Sequence, residues 1–160
     1  MQKKFNVTKT IVLAGIAGGT VEIIWVLLYS FGSPLQASSV AEEVTRSFLP
    51  QMAGVTAVLA GVLIHYFLAM LIAGVAAIAY LRVFAGDIDE TTMLATSIAA
   101  LVAIWTVNFF FVLPVVNPNF VTLMPLGITL VSKILFGLAM GWAFFEWAGV
   151  RIAKGEQVRA

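Results

Sequence analysis

Long apolar stretches separated by short polar breaks are the main pattern of this sequence. A helix needs about 20 mostly apolar residues to cross a bilayer, and four stretches reach that length. The pattern therefore predicts an all-α membrane protein, a four-helix bundle with spans at about residues 11–31, 52–83, 92–116 and 121–150. No break is long enough to hold a soluble domain, so residues 1–160 are predicted to form a single membrane domain.

The break between the first two spans has a helical pattern of its own. Val40 and Val44 recur at helical spacing with Phe48, and the charged side chains of Glu42, Glu43 and Arg46 fall on the other side. Ser38 or Ser39 is a candidate cap, with Glu42 completing a capping box. The pattern predicts an amphipathic helix at about residues 36–49 on the outer membrane surface. It is either a connector that covers the bundle's outer end or an element for partner docking or gating.

The composition supports a membrane location. Hydrophobic residues make up 61% of the chain and charged residues 11%, whereas charged residues are roughly 25% of an ordinary globular chain. A soluble fold of this size cannot bury that much apolar surface, so the bilayer is one expected partner. The chain has no basic stripe, and we therefore expect no nucleic-acid partner.

The positions of Lys and Arg predict the orientation. Four spans place most of these residues on one side and only Arg46 on the other; the first group is Lys3, Lys4, Lys9, Arg82, Arg151, Lys154 and Arg159. Basic residues are enriched on the cytoplasmic side of membrane proteins. Both termini are therefore predicted to be cytoplasmic.

Four polar residues within the apolar spans are candidates for a function. Glu22, His65 and Lys133 fall near mid-depth, and Asn108 lies somewhat nearer the outer side. Each is a candidate functional residue, because charged and polar groups are costly at that depth. Glu22 and Lys133 are expected to pair, with His65 or Asn108 adding hydrogen bonds. The set is open to four interpretations: structural pairing, a proton or ion relay, a site for a quinone or lipid headgroup, or contact with a partner's span.

Small residues share helix faces with these polar positions. Small side chains let helices approach closely in lipid. We therefore predict helix packing at six glycines, namely Gly15, Gly18, Gly19, Gly61, Gly137 and Gly141.

The sequence offers little for catalysis or metal binding. It has one histidine, no cysteine and one carboxylate at mid-depth, which together give at most two good metal ligands. No nucleophile elbow or phosphate-binding glycine loop is present. We therefore expect no catalytic residue, no metal, no cofactor and no enzymatic activity.

Several segments carry a resemblance to other proteins. The stretches AGIAGGTVEIIWVLLYS, GVLIHYFLAM and NFFFVLPVVNPNF, followed by SKILFGLAMGW, resemble those of small, largely uncharacterised four-span bacterial inner-membrane proteins, some of which are labelled symporter-like. The resemblance covers roughly residues 14–142. It implies a multi-pass protein of the bacterial inner membrane.

These features favour one function and leave two others open. We expect a non-catalytic accessory subunit of a larger membrane complex of the respiratory or membrane-oxidase type, which packs against other subunits or a second copy. The alternative is a small proton- or ion-coupled transporter or channel that uses Glu22, His65 and Lys133. An enzyme acting on a lipid or quinone is least favoured.

Overall fold

Helices make up nearly all of the part of the chain that the computed structural model describes, residues 7–83 and 89–147. They are α1 (Val7–Phe31), α2 (Ala37–Arg46), α3 (Gly54–Val83), α4 (Glu90–Val116), α5 (Pro118–Leu123) and α6 (Leu126–Trp147). The helices α1, α3, α4 and α6 are long and apolar enough to cross a membrane. The prediction of an all-α, four-span membrane bundle is confirmed.

The long helices pack in the order α3, α1, α6, α4. Helix α1 lies between α3 and α6, and α4 packs along α6. The short helix α2 lies mainly against α3 and also contacts α5. Near the end of the bundle that carries the start of α1, the Tyr80 hydroxyl lies 2.6 Å from Ser97 Oγ and connects α3 with α4.

A dense core fills the half of the bundle nearer the start of α1. Its buried side chains include Ala69, Ala73, Met93, Phe136 and Met140, each no more than 2% exposed. Because every spanning helix contributes to this cluster, the four helices are held together by interlocking side chains at this end.

The six glycines lie at close approaches between helices. A Cβ atom would lie 2.7 Å from the Met70 Cα if Gly15 carried one, and 2.8 Å from the Ile98 Cα if Gly137 did. Gly18 faces the Phe136 ring, Gly19 faces α3, Gly61 faces α2 and Gly141 faces Ser97. These small residues therefore bring helices of the same chain together.

The segment between the last two spans contains a π-helical turn and a separate short helix. Helix α4 continues through Pro114 to Val116, because a π-helical turn at Asn108–Val112 widens the backbone just before the proline. In that turn the Leu113 N–H donates to the Asn108 carbonyl. The wider turn accommodates the proline ring, which would otherwise clash with the carbonyl one turn earlier.

The fourth span begins at Leu126 rather than at Val121. Residues 118–123 form the separate helix α5, which ends before Pro125. Met124 has extended backbone angles, as expected for a residue that precedes a proline. The predicted end of the span at residue 150 lies outside the described residues, as do Lys3, Lys4, Arg151, Lys154 and Arg159.

Candidate functional site

A cavity of about 370 Å³ lies in the half of the bundle farther from the start of α1. Side chains from α1, α3, α4 and α6 form its walls, and α2 lies above it. Glu22, His65, Asn108 and Lys133 all line this cavity. The structure therefore places these four candidate residues around one space, and most of the remaining wall is apolar.

The Glu22–Lys133 ion pair forms the charged part of the wall. The Lys133 ammonium donates to Glu22 Oε1, and the Ser132 hydroxyl lies 3.1 Å from the same oxygen. Glu22 is 9% exposed, and its other oxygen, Oε2, is the one buried side-chain atom without a hydrogen-bond partner among the described residues. Because the two charges compensate each other, the pair adds no net charge to the cavity.

Ser132 supplies the additional hydrogen bond that was expected from His65 or Asn108. Its hydroxyl also lies 2.7 Å from the Thr129 carbonyl oxygen, one turn earlier on α6. In the sequence, Ser132 looks like one more small residue of a packed helix. Its position directly before Lys133 gives no signal either, because adjacent residues on a helix point in different directions.

His65 is fixed by a hydrogen bond to the backbone of α1. Its Nε2 lies 3.1 Å from the Gly19 carbonyl oxygen. A carbonyl only accepts, so Nε2 carries a proton. The close approach at Gly19, where a side chain would contact the imidazole, lets the ring reach this carbonyl.

Asn108 brings an unpaired carboxamide to the cavity. It is the first residue of the π-helical turn and is partly buried. Throughout the described part of the chain its side chain has no hydrogen-bond partner. The turn itself is held in place, because Trp105 Nε1 donates to Thr129 Oγ1 at 3.0 Å and the Trp105 ring packs on Phe109.

Helix α2 is fastened to α3 above the cavity. Thr45 Oγ1 donates to the Ala57 carbonyl at 2.5 Å, and Gly61 leaves room for the backbone of α2 at Ala41. Glu42 Oε1 accepts from the Gly54 N–H at 2.6 Å, where Gly54 has a φ of +70° that favours glycine. The capping box is therefore absent: Gln36 is the N-cap residue, and it makes no side-chain cap bond.

Helix α2 is also fastened to the end of α4. Asn117 Nδ2 lies 3.0 Å from both the carbonyl and the Oε2 of Glu43, whose Oε1 pairs with Arg46. Glu43 is 7% exposed, so the expectation that it lies on the solvent-facing side of α2 is wrong. Periodicity within α2 did not reveal this contact, since its partner lies 74 residues away.

Neither a search for metal-ligand clusters nor comparison with known proteins adds information about this site. In residues 7–83 and 89–147 no three His, Cys, Asp or Glu side chains are grouped as a metal site would require. No protein-family model, curated protein or solved structure matches the chain. The fold and its hydropathy define a multi-pass membrane protein with a partly polar internal cavity.

Proposed function

We propose that this protein binds an amphipathic small molecule in the cavity beneath α2. The observation that carries the proposal is a partly open cavity of about 370 Å³ with apolar walls and a few polar groups. Small-molecule sites have this character, with volumes of about 300–1,000 Å³ and few polar side chains that fix the orientation of the ligand. Val58, Val62 and Leu68 would contact the apolar body of the ligand, and the polar residues its head.

The packed core beside the cavity favours binding over conduction. Phe136 and Met140 are no more than 2% exposed and fill the bundle between the ion pair and the end that carries the start of α1. A relay through Glu22, His65 and Lys133 is a second proposal, supported by their shared cavity. It predicts proton or ion flux in liposomes that falls in Glu22→Gln and His65→Ala. Absence of flux in the parent protein would contradict the relay.

A role as an accessory subunit of a larger membrane complex is compatible with ligand binding. Phe110 and Phe111, which follow Asn108 in the π-helical turn, are 53% and 69% exposed and form a bulky apolar surface. This surface favours contact with another subunit, although the six glycines pack within the chain. Native mass spectrometry after mild extraction tests this role. Stoichiometric larger subunits would support it, and a lone chain would contradict it.

We further propose that the protein lies in the bacterial inner membrane with both termini in the cytoplasm. Among the described residues, Lys9 at the start of α1 and Arg82 at the end of α3 support this orientation, because both lie at the same end of the bundle. The cavity then lies in the outer half of the bilayer.

Ligand binding is tested by filling the cavity. Val62→Trp places an indole in the space, whereas Leu63→Trp adds the same group on the neighbouring residue, which is 71% exposed. We expect native mass spectrometry of the parent protein to show a co-purified small molecule. It should be lost from Val62→Trp and retained by Leu63→Trp. Equal occupancy in both variants would contradict the proposed site.

A further inference from the structure

We infer that the head of the bound molecule is neutral and hydrogen-bonding, and that the Asn108 carboxamide recognises it. This inference rests on the proposed ligand site. It names the ligand class as a neutral amphiphile whose head is a hydroxyl or an amide, rather than a carboxylate, a phosphate or an amine.

The charges on the cavity wall exclude a strong preference for an ion. Glu22 and Lys133 neutralise each other through a direct ion pair, and Ser132 adds a hydrogen bond to the carboxylate. An anionic head would compete with Glu22 for the ammonium, and a cationic head would compete with Lys133 for the carboxylate. Either ion would leave an uncompensated charge in a mostly apolar cavity, which is costly. A neutral head leaves the pair intact.

Asn108 provides the recognition group for such a head. Its carboxamide has both a donor and an acceptor, and within the described residues neither has a partner. The Asn108 side chain is only partly buried and lines the cavity, so a ligand in that space can reach the amide and form hydrogen bonds with it. The π-helical turn is anchored by Trp105 and Phe109. The backbone that carries Asn108 is therefore held at the cavity wall before the ligand arrives.

A matched series of decyl compounds tests the charge and hydrogen bonding of the head. The probes are 1-decanol, decyl methyl ether, decanoate and decylammonium, each titrated into the purified full chain and measured by native mass spectrometry. We expect the alcohol to bind about tenfold more tightly than the ether, since the ether lacks the donor. The carboxylate and the ammonium should also bind more weakly than the alcohol.

A pair of asparagine variants tests the residue. Asn108→Leu keeps a similar volume and removes only an unpaired amide, so we expect the fold to persist. The affinity of this variant for 1-decanol should fall about tenfold, to the affinity that the parent protein has for decyl methyl ether. The control is Asn119→Leu, the same change at an exposed residue of α5 outside the cavity lining. This variant should bind like the parent protein.

The outcomes separate this inference from the proposed function. If none of the four probes binds, or if binding survives Val62→Trp, the ligand site itself is wrong. A second outcome is that Val62→Trp abolishes binding, but the parent protein binds the ether, the carboxylate or the ammonium as tightly as the alcohol. In that case the ligand site is correct, and only the inference of a neutral hydrogen-bonding head is wrong. If Asn108→Leu keeps the full preference for the alcohol, Asn108 does not recognise the head.

Discussion

Glu22 and Lys133 can lie within apolar spans because each compensates the charge of the other. The Lys133 side chain is 22% exposed and that of Glu22 is 11% exposed, so both charges have lost most of their water. Separating such a pair by removing one partner leaves a buried charge without compensation. The pair is thus expected to contribute to stability whatever the cavity binds.

Single replacements at this pair should destabilise the protein. We expect Glu22→Gln and Lys133→Met each to lower the free energy of unfolding by about 3 kcal/mol or more, because each leaves its partner buried and unpaired. The exchange of both residues, Glu22→Lys with Lys133→Glu, should recover part of the loss. Thermal unfolding of the detergent-extracted protein, followed by tryptophan fluorescence, measures these changes.

An exposed glutamate provides the control for this experiment. Glu90→Gln alters a solvent-exposed residue at the start of α4. We expect it to change stability by no more than about 0.5 kcal/mol. Single replacements at Glu22 or Lys133 that behave like this control would show that the ion pair does not stabilise the bundle.

Hydropathy predicted polar residues near mid-depth but did not define their contacts. Glu22, His65 and Lys133 were expected near mid-depth, and the structure brings all three to one cavity with Asn108. Which atoms bond depends on the rotation of each helix about its axis. Hydropathy does not determine that rotation when a helix has apolar residues on all of its faces. Ser132, as the donor to Glu22, therefore emerged only from the structure.

At the scale of elements, the contact between α2 and α3 depends on one glycine. A Cβ on Gly61 would overlap the Ala41 carbonyl oxygen, which is backbone and cannot rotate away. Gly74 lies on the same helix but has only an ordinary contact, with Ile11 Cγ2 at 3.9 Å. A comparison of alanine substitutions at these two glycines therefore separates the effect of steric crowding from the effect of helix propensity.

Alanine substitutions at these glycines should have different effects. Gly61→Ala is expected to destabilise the protein by about 1–3 kcal/mol, since it pushes α2 away from α3. Gly74→Ala should be neutral or stabilise by up to about 1 kcal/mol through helix propensity. Hydrogen exchange of the α2 amides measures the local effect. Equal protection of α2 in both variants would contradict the predicted crowding.

The start of α4 should respond to acid through Asp89. Hydrogen bonds from the Thr92 hydroxyl, at 2.6 Å, and the Thr92 N–H, at 3.0 Å, lower the pKa of Asp89 from its ordinary value of 3.8. A lowered pKa means that the ionised carboxylate stabilises the helix above pH 3.8, and that this contribution disappears as the pH falls through the lowered pKa. We therefore expect faster amide exchange at Thr92 below that pH, beyond the intrinsic pH dependence.

The matched variant for this prediction is Asp89→Asn. Asparagine also caps helices but does not titrate in this range. We expect its protection at Thr92 to be independent of acid once exchange is corrected for pH. The same acid response in Asp89→Asn would show that another group is responsible.

The spans were predictable and the region between the last two was not. Long apolar runs make α1, α3, α4 and α6 long and apolar enough to cross a membrane. A proline such as Pro114 ordinarily ends or kinks a helix, because it lacks an N–H and clashes with the preceding turn. The π-helical turn at Asn108–Val112 relieves that clash. This depends on local backbone geometry that the hydropathy pattern does not contain.

At the scale of the whole molecule, the cavity results from the uneven packing of the bundle. Small residues and interlocking side chains close the half nearer the start of α1. In the other half the bundle encloses the space beneath α2, and Asn117 at the end of α4 holds α2 through Glu43. The asymmetry gives the bundle one closed half and one half with a cavity. The orientation of the protein in the membrane therefore determines which half of the bilayer contains the cavity.

Cysteine labelling determines that orientation, and the absence of native cysteine leaves no background reaction. We place single cysteines at exposed positions on opposite ends of the bundle, Gln36→Cys before α2 and Thr8→Cys in the first turn of α1. If both termini are cytoplasmic, a membrane-impermeant maleimide should label Gln36→Cys in intact spheroplasts. It should label Thr8→Cys only after permeabilisation. The reverse pattern would contradict the orientation and place the cavity in the cytoplasmic half, because the cavity and Gln36 lie at the same end of the bundle.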